Sequence, residues 1–132
     1  MTLLKMPPAK PQARVLVVDD GMTMRMYYRD VLEAAGFEVS EAVNGLEGVE
    51  RVMTEAFDLL VVDVNMPKMD GLQLLASLKG SAQWHDVPVV MITTEGSSTK
   101  VMEAVSLGAS GYVRKPFTAE QVKEHVLPIL EG

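Results

Sequence analysis

The sequence predicts an α/β domain of five βα units wound around a five-stranded parallel sheet. Three observations carry the prediction. Short β-branched runs alternate five times with amphipathic segments. Runs such as Val15-Leu16-Val17-Val18 and Leu59-Leu60-Val61-Val62 are apolar on both pleat faces, as in strands covered by helices on both sides. The chain of 132 residues suits one domain with a self-sufficient core.

Residues 1–12 carry Pro7, Pro8 and Pro11 without periodicity and read as a flexible lead-in to a domain spanning 13–132. The first strand is expected over Arg14 to Val18. The first helix follows over Met24 to Ala35, where Met24, Tyr28, Val31, Leu32 and Ala35 form one stripe and Gly36 supplies the stop. A second strand over Glu38 to Ala42 leads to a helix over Leu46 to Glu55, with Asn44 as its cap. Leu59 to Val62 and Leu72 to Lys79 form the third unit, and Val87 to Thr93 and Thr99 to Leu107 the fourth. Tyr112 to Arg114 and Ala119 to Leu127 form the fifth, opened by a capping box between Thr118 and Gln121. Pro128 should end or kink the last helix, since it has no N–H to donate and crowds the carbonyl of Glu124.

Composition excludes several functions. Apolar residues make up 48% and charged residues 23%, as in folded globular chains. No apolar run approaches the ~20 residues of a membrane span, and the start MTLLKMPPAKPQ lacks a signal-peptide core, so a cytoplasmic location is expected. With no cysteine, disulfides, thiolate metal sites and thiol nucleophiles are absent. A net charge of -6 without a Lys/Arg cluster disfavours nucleic acid and anionic lipid as partners.

Ligands of parallel α/β sheets bind at the carboxyl ends of the strands, and the polar residues there form a set. Asp19 and Asp20 follow the first strand, Asp63 follows the third, Thr93 and Thr94 end the fourth, and Lys115 follows the fifth. A single Asp after a strand is ordinarily a cap or turn former. Three brought together repel by roughly 4 kcal/mol per pair at ~4 Å and a dielectric near 20, so the fold must compensate them. Oxygen ligands without His or Cys select Mg²⁺ or a similar hard ion, and Lys115 adds a second positive charge. A carboxylate beside Mg²⁺, an ammonium and a hydroxyl is the equipment for phosphoryl transfer to an aspartate, with Asp63 attacking in line.

The segments VLVVDDGMTMR, LLVVDVNMPKMDGLQLL, PVVMITTE and GYVRKPF, in this order and each at a strand end, resemble response-regulator receiver domains, most closely the single-domain chemotaxis type, from about Arg14 to Leu130. The resemblance implies a flavodoxin-like doubly wound fold with strand order 2-1-3-4-5. It also implies Asp63 as phosphoacceptor, with Asp19, Asp20, Asp63 and the Asn65 carbonyl around Mg²⁺. Lys115 and Thr93 would contact the phosphoryl oxygens, and Tyr112 would change rotamer with phosphorylation. Pro116 stands where the family has a cis proline. Met66-Pro67 and Asp70-Gly71 match the acceptor loop, Gly71 permitting the turn into the third helix. Asn65 and Glu95 stand where the family tunes hydrolysis of the acyl phosphate, and both match the chemotaxis type, implying a transient signal. Gly21 replaces the more usual Ser or bulky residue after the acidic pair, which should loosen the start of the first helix. Val64 stands where the best-known chemotaxis regulator has Trp.

The expected partners are a histidine kinase or histidine phosphotransfer protein and a protein target on the face of the fourth helix, fifth strand and fifth helix. The chain is expected to be a monomeric switch that takes part chemically in phosphorylation and dephosphorylation without being a conventional enzyme. His85 and His125, away from the strand ends, read as surface or packing residues. Met22, Met24 and Met26 read as core fillers, and Glu47, Glu50 and Glu55 as a solvated helix face. The alternative is a Mg²⁺-dependent aspartyl-phosphate phosphatase of the haloacid-dehalogenase type. It requires a second Asp two residues after the first, where Asn65 stands, and a cap domain for which there is no room. A flavin binder would need a Ser/Thr/Gly-rich phosphate loop where Asp19 and Asp20 stand.

Overall fold

The computed structural model describes residues 13–66, 69–93, 98–114 and 118–131. Five parallel strands, β1 (Arg14–Val18), β2 (Glu38–Ala42), β3 (Leu59–Asp63), β4 (Val89–Thr93) and β5 (Gly111–Arg114), lie in the order β2-β1-β3-β4-β5. Between them run α1 (Met22–Ala34), α2 (Gly45–Thr54), α3 (Gly71–Lys79) and α4 (Ser98–Ser106). The chain closes with α5 (Ala119–Gln121), a π-helical turn (Val122–Val126) and α6 (Leu127–Glu131). The fold and strand order are those anticipated.

The pleat divides the core in two. Val15, Val17, Leu59, Val61, Val90, Ile92 and Val113 face one side and pack with Tyr28 and Leu32 of α1 and Val126 of the terminal helix. Leu16, Val18, Leu60, Val62, Val89 and Met91 face the other, under Val52 of α2, Leu72, Leu74, Leu75 and Leu78 of α3, and Ala104 of α4. Every residue of β3 and β4 is buried, which explains why those strands read as unbroken apolar runs.

Local chemistry sets the element ends. Gly36, at φ 99°, closes α1 in a Schellman arrangement, with Gly36 N–H bonded to the Glu33 carbonyl at 3.0 Å and Phe37 N–H to that of Leu32 at 3.1 Å. Asn44 caps α2 by accepting from Glu47 N–H at 2.9 Å. The box at Thr118 and Gln121 is complete, at 2.9 and 3.2 Å. Pro128 does not stop the last helix. The turn ahead of it widens to π geometry and the helix continues to Glu131, which accommodates the missing donor and the crowding at Glu124.

Four expectations need correction. Helix α1 begins at Met22 and not Met24, with Arg25 N–H bonded to the Gly21 carbonyl at 2.9 Å. Met22 and Met26 are 67% and 57% exposed, so only Met24 of the three packs against the core. Glu47 turns back to accept from Val43 N–H at 2.9 Å, and Glu55 pairs with Arg14 at 2.6 Å, so neither merely faces solvent. Strand β4 starts at Val89 and not Val87, after Pro88, whose carbonyl accepts from Leu60 N–H at 3.0 Å but which has no N–H of its own.

Candidate functional site

The site grows from the ends of β1 and β3. Just past β1, Asp19 N–H bonds to the Ala42 carbonyl at 3.1 Å, prolonging the pairing with β2. Its carboxylate turns forward, and Oδ1 accepts from Gly21 N–H at 2.8 Å. A Cβ at position 21 would stand 3.3 Å from that oxygen, so the glycine lets the carboxylate and the helix start crowd together. Asp20, next in the chain, is exposed.

Asp63 is the last residue of β3, opposite Ile92 of β4, and is 5% exposed. Its Oδ1 accepts from Asn65 N–H at 3.3 Å. The chain then bends sharply: Val64 N–H still bonds to the Ile92 carbonyl at 2.9 Å, while the Val64 carbonyl accepts from Gly71 N–H at 2.9 Å. Gly71 does not have a positive φ, so its role is close approach and not turn freedom. Asp70 and Gln73 form a reciprocal capping box that fixes the start of α3. From the other side Gly45 N–H at the start of α2 bonds to the Met69 carbonyl at 3.1 Å.

Asp19, Asp20 and Asp63 each present a carboxylate oxygen, and these lie within 4.8 Å of one another. Two of the three are nearly buried, at 2% and 5% exposure. At that distance and an effective dielectric of about 20, Asp19 and Asp63 repel by about 3.5 kcal/mol when both are ionised. A cation among them removes this cost. The donors are all hard oxygens, with neither His nor Cys in the cluster, which suits Mg²⁺ or Ca²⁺ and not zinc.

Thr93 ends β4, one residue past the partner of Asp63, and is 1% exposed. Tyr112 of β5 pairs with Met91 and Arg114 with Thr93, so Thr93 and Tyr112 share a sheet face, one strand and two residues apart. The Tyr112 hydroxyl is buried and bonds to none of the described residues. Asn65 is exposed beside the cluster. Lys115 and Glu95, together with Thr94, Pro67 and Pro116, lie outside the described residues. His85 is exposed beside Asp86, and His125 is partly exposed beside Glu124.

Three further residues belong to the site's surroundings. Tyr28, 1% exposed, sits under the sheet edge on the face that carries Asp19 and Asp63. Burial, and then the charges of Asp19 and Asp63, push its phenol well above the ordinary range and keep it neutral. The helical stripe marks it as core; only the third dimension reveals the carboxylates above it. Arg25 of α1 donates from Nη1 to the Asp19 carbonyl at 2.9 Å and from Nε to Glu41 of β2 at 2.9 Å. Glu41 also accepts from Arg29 Nε at 2.7 Å. Burial works to raise the Glu41 carboxyl, but the bonds from Arg29 and Arg25 outweigh it and hold the group below the usual carboxylate range. The signal in the sequence was an arginine six residues after Asp19 and an acid near the end of β2.

Comparison with known proteins fits this geometry. Residues 15–127 match the response regulator receiver domain family. Chemotaxis protein CheY1 of Helicobacter pylori is 38% identical over 119 residues, covering 89% of this chain and 96% of that protein. Chemotaxis protein CheY of Pseudomonas aeruginosa shows the same identity and coverage. The crystallised chemotaxis protein CheY4 of Vibrio cholerae superposes with a TM-score of 0.85 at 34% identity, over 91% of this chain and all of that one. Nothing in these likenesses supports the phosphatase alternative. With a family match across nearly the whole described fold and an acidic cluster at its carboxyl edge, the chain belongs to the response regulator receiver domains, the receiving modules of two-component signal transduction.

Proposed function

We propose that Asp63 is the phosphoacceptor of a Mg²⁺-dependent switch in which residues 13–132 form the working unit. The observation that carries this is the nearly buried Asp63 carboxylate within 4.8 Å of Asp19 and Asp20 at the carboxyl edge of the sheet. Asp19, Asp20, Asp63 and the carbonyl of Asn65 would hold the ion, which supplies positive charge to the equatorial oxygens of the transferring group.

Asp63 contributes the nucleophile. A carboxylate oxygen forms a bond to phosphorus as the bond from phosphorus to the donor's imidazole nitrogen breaks and that ring takes up a proton, giving an acyl phosphate and a neutral histidine. The Asn65 N–H bonded to Asp63 Oδ1 helps to orient that carboxylate. Lys115 and the Thr93 hydroxyl would bind phosphoryl oxygens, and Asn65 and Glu95 would govern how fast water reverses the reaction. The donor is a histidine kinase or histidine phosphotransfer protein. The same geometry would let small phosphodonors react directly.

The output face is the one bearing α4 and β5, where Met102 and Val105 are 68% and 62% exposed. Such apolar residues on a helix surface suit a protein partner. The relatives are named as chemotaxis proteins, and we assign this chain to the same class of transient signal, acting as a cytoplasmic monomer without nucleic-acid contacts. Among the described residues no helix is long and apolar enough to cross a membrane.

The test is labelling with acetyl phosphate and Mg²⁺, followed by intact-mass measurement. One acid-labile phosphoryl group is expected on the wild type and none on Asp63→Asn. Equal labelling of the two would overturn the assignment of Asp63.

A further inference from the structure

We propose that Arg25 is a positioning residue that sets the affinity of the acidic site for Mg²⁺ by fixing the main chain from which Asp19 and Asp20 project. The proposal rests on the reading of that site as a Mg²⁺ centre.

The Asp19 peptide is held at three points. Its N–H bonds to the Ala42 carbonyl at 3.1 Å, its carboxylate accepts from Gly21 N–H at 2.8 Å, and its carbonyl accepts from Arg25 Nη1 at 2.9 Å. Of these only the last is made by a side chain outside the loop itself. It closes the turn between β1 and α1 from the helix side, and it fixes the peptide plane that joins Asp19 to Asp20. A rotation of that plane would swing both carboxylates relative to Asp63. Without the bond the Asp19 carbonyl would lose a charge-assisted partner in a part-buried setting.

The Arg25 fork is itself oriented. Nε donates to Glu41 at 2.9 Å, and the side chains of Arg25 and Glu41 are 13% and 27% exposed. Two donors of one planar group thus span α1, the end of β2 and the loop after β1, a geometry a lysine ammonium cannot reproduce. Arg29 supplies an internal control. It bonds to the other Glu41 oxygen at 2.7 Å and to Glu33 at 2.9 Å, so it braces the same acid from one turn farther along α1. Arg25 and Arg29 share the acid, and Arg25 links it to the loop that carries Asp19 and Asp20.

The measurement is Mg²⁺ binding by calorimetry on the wild type, Arg25→Gln, Arg25→Lys and Arg29→Gln, each checked for a folded circular-dichroism spectrum. Groups that orient metal ligands are worth roughly 10–100-fold in affinity, so both Arg25 variants should bind Mg²⁺ about tenfold more weakly, and Arg29→Gln should stay within about twofold of wild type. In phosphorylation by acetyl phosphate the Arg25 variants should need more Mg²⁺ for half-maximal rate but reach the wild-type plateau. Wild-type affinity in Arg25→Gln overturns the proposal. An equal loss in Arg29→Gln overturns it too, since the effect would then belong to Glu41. Recovery by Arg25→Lys would show that charge alone suffices and that the fork positions nothing. Failure of the wild type to bind Mg²⁺ would overturn the underlying reading, and is distinguishable because it appears before any variant is compared.

Discussion

A Cβ added at Gly71 would lie 2.2 Å from the carbonyl oxygen of Asp63. It would also meet the Asp63 carbonyl carbon and the Val64 Cα at 2.9 Å, so the obstacle is main chain and cannot move aside as a flexible side chain could. The start of α3 therefore rests directly on the backbone of Asp63. Gly71→Ala should cost about 3 kcal/mol of stability, at the upper end for overpacking, and should slow phosphorylation of the remaining folded protein. Urea unfolding and the initial labelling rate measure the two effects. An Ala variant with unchanged stability would mean that α3 can shift away without penalty.

Much of this architecture was legible in the sequence because burial on both faces of a parallel sheet leaves unbroken apolar runs. β1 and β2 appear with the expected bounds, and β3 is longer by Asp63 itself. Helix starts were less legible. Met22 and Thr23 lie on the exposed side of α1, so the apolar stripe that betrays the helix begins only at Met24. The acidic cluster was legible because each member follows an unbroken apolar run. Arg25 and Tyr28 were not, because each reaches Asp19 through a fold contact: one by a side chain running back from α1, the other by lying beneath the strand ends. The close approach of Gly71 was likewise hidden, since a glycine in sequence advertises turn freedom and not what a Cβ would strike.

The metal should stabilise the fold. Asp19 and Asp63 are nearly buried within 4.8 Å of each other, and an ion that binds only the folded chain adds stability by mass action. At ten times its dissociation constant, Mg²⁺ should contribute about 1.4 kcal/mol. That corresponds to a rise in melting temperature of about 5 °C for a domain of this size. Asp20→Ala should melt at the same temperature with and without Mg²⁺. A wild-type curve unmoved by millimolar Mg²⁺, or an equal rise in Asp20→Ala, would remove the ion from this site.

Tyr28 should remain protonated for as long as the domain stays folded. Burial comes first and the charges of Asp19 and Asp63 second, and all of them disfavour the phenolate. The sign for stability follows. The folded chain holds this proton more tightly than the unfolded one, whose phenol titrates near 10.0, so the contribution is complete below that value and is lost as pH rises beyond it. In an alkaline titration followed by tyrosinate absorbance, wild type and Tyr28→Phe should give the same curve until global unfolding, and differ by one tyrosine in denaturant. A difference between the native curves at lower pH would place the hydroxyl in a wetter, less charged setting.

The last prediction concerns transmission from the site to the output face. Thr93 and Tyr112 point to the same side of adjacent strands, offset by two residues, which puts their Cα atoms about 8 Å apart. Thr93 is 1% exposed, so a movement of its hydroxyl is taken up by neighbouring side chains and not by solvent. A phosphoryl group on Asp63 brings roughly -1.5 to -2 charge and three acceptor oxygens, which should draw the Thr93 hydroxyl toward it. The space vacated lies on the face that Tyr112 shares, so the ring would turn into it and reshape the surface between β5 and α4. Phosphorylation biases this equilibrium only by its preference for one state, so weak partner binding should persist without it and the response should be graded. Thr93→Ala should therefore accept phosphate yet transmit it poorly. Amide chemical shifts with and without beryllofluoride, in wild type and Thr93→Ala, report the path directly. Large changes around Tyr112 and α4 are expected in the wild type and much smaller ones in the variant; identical changes in both would mean that the signal reaches α4 without Thr93.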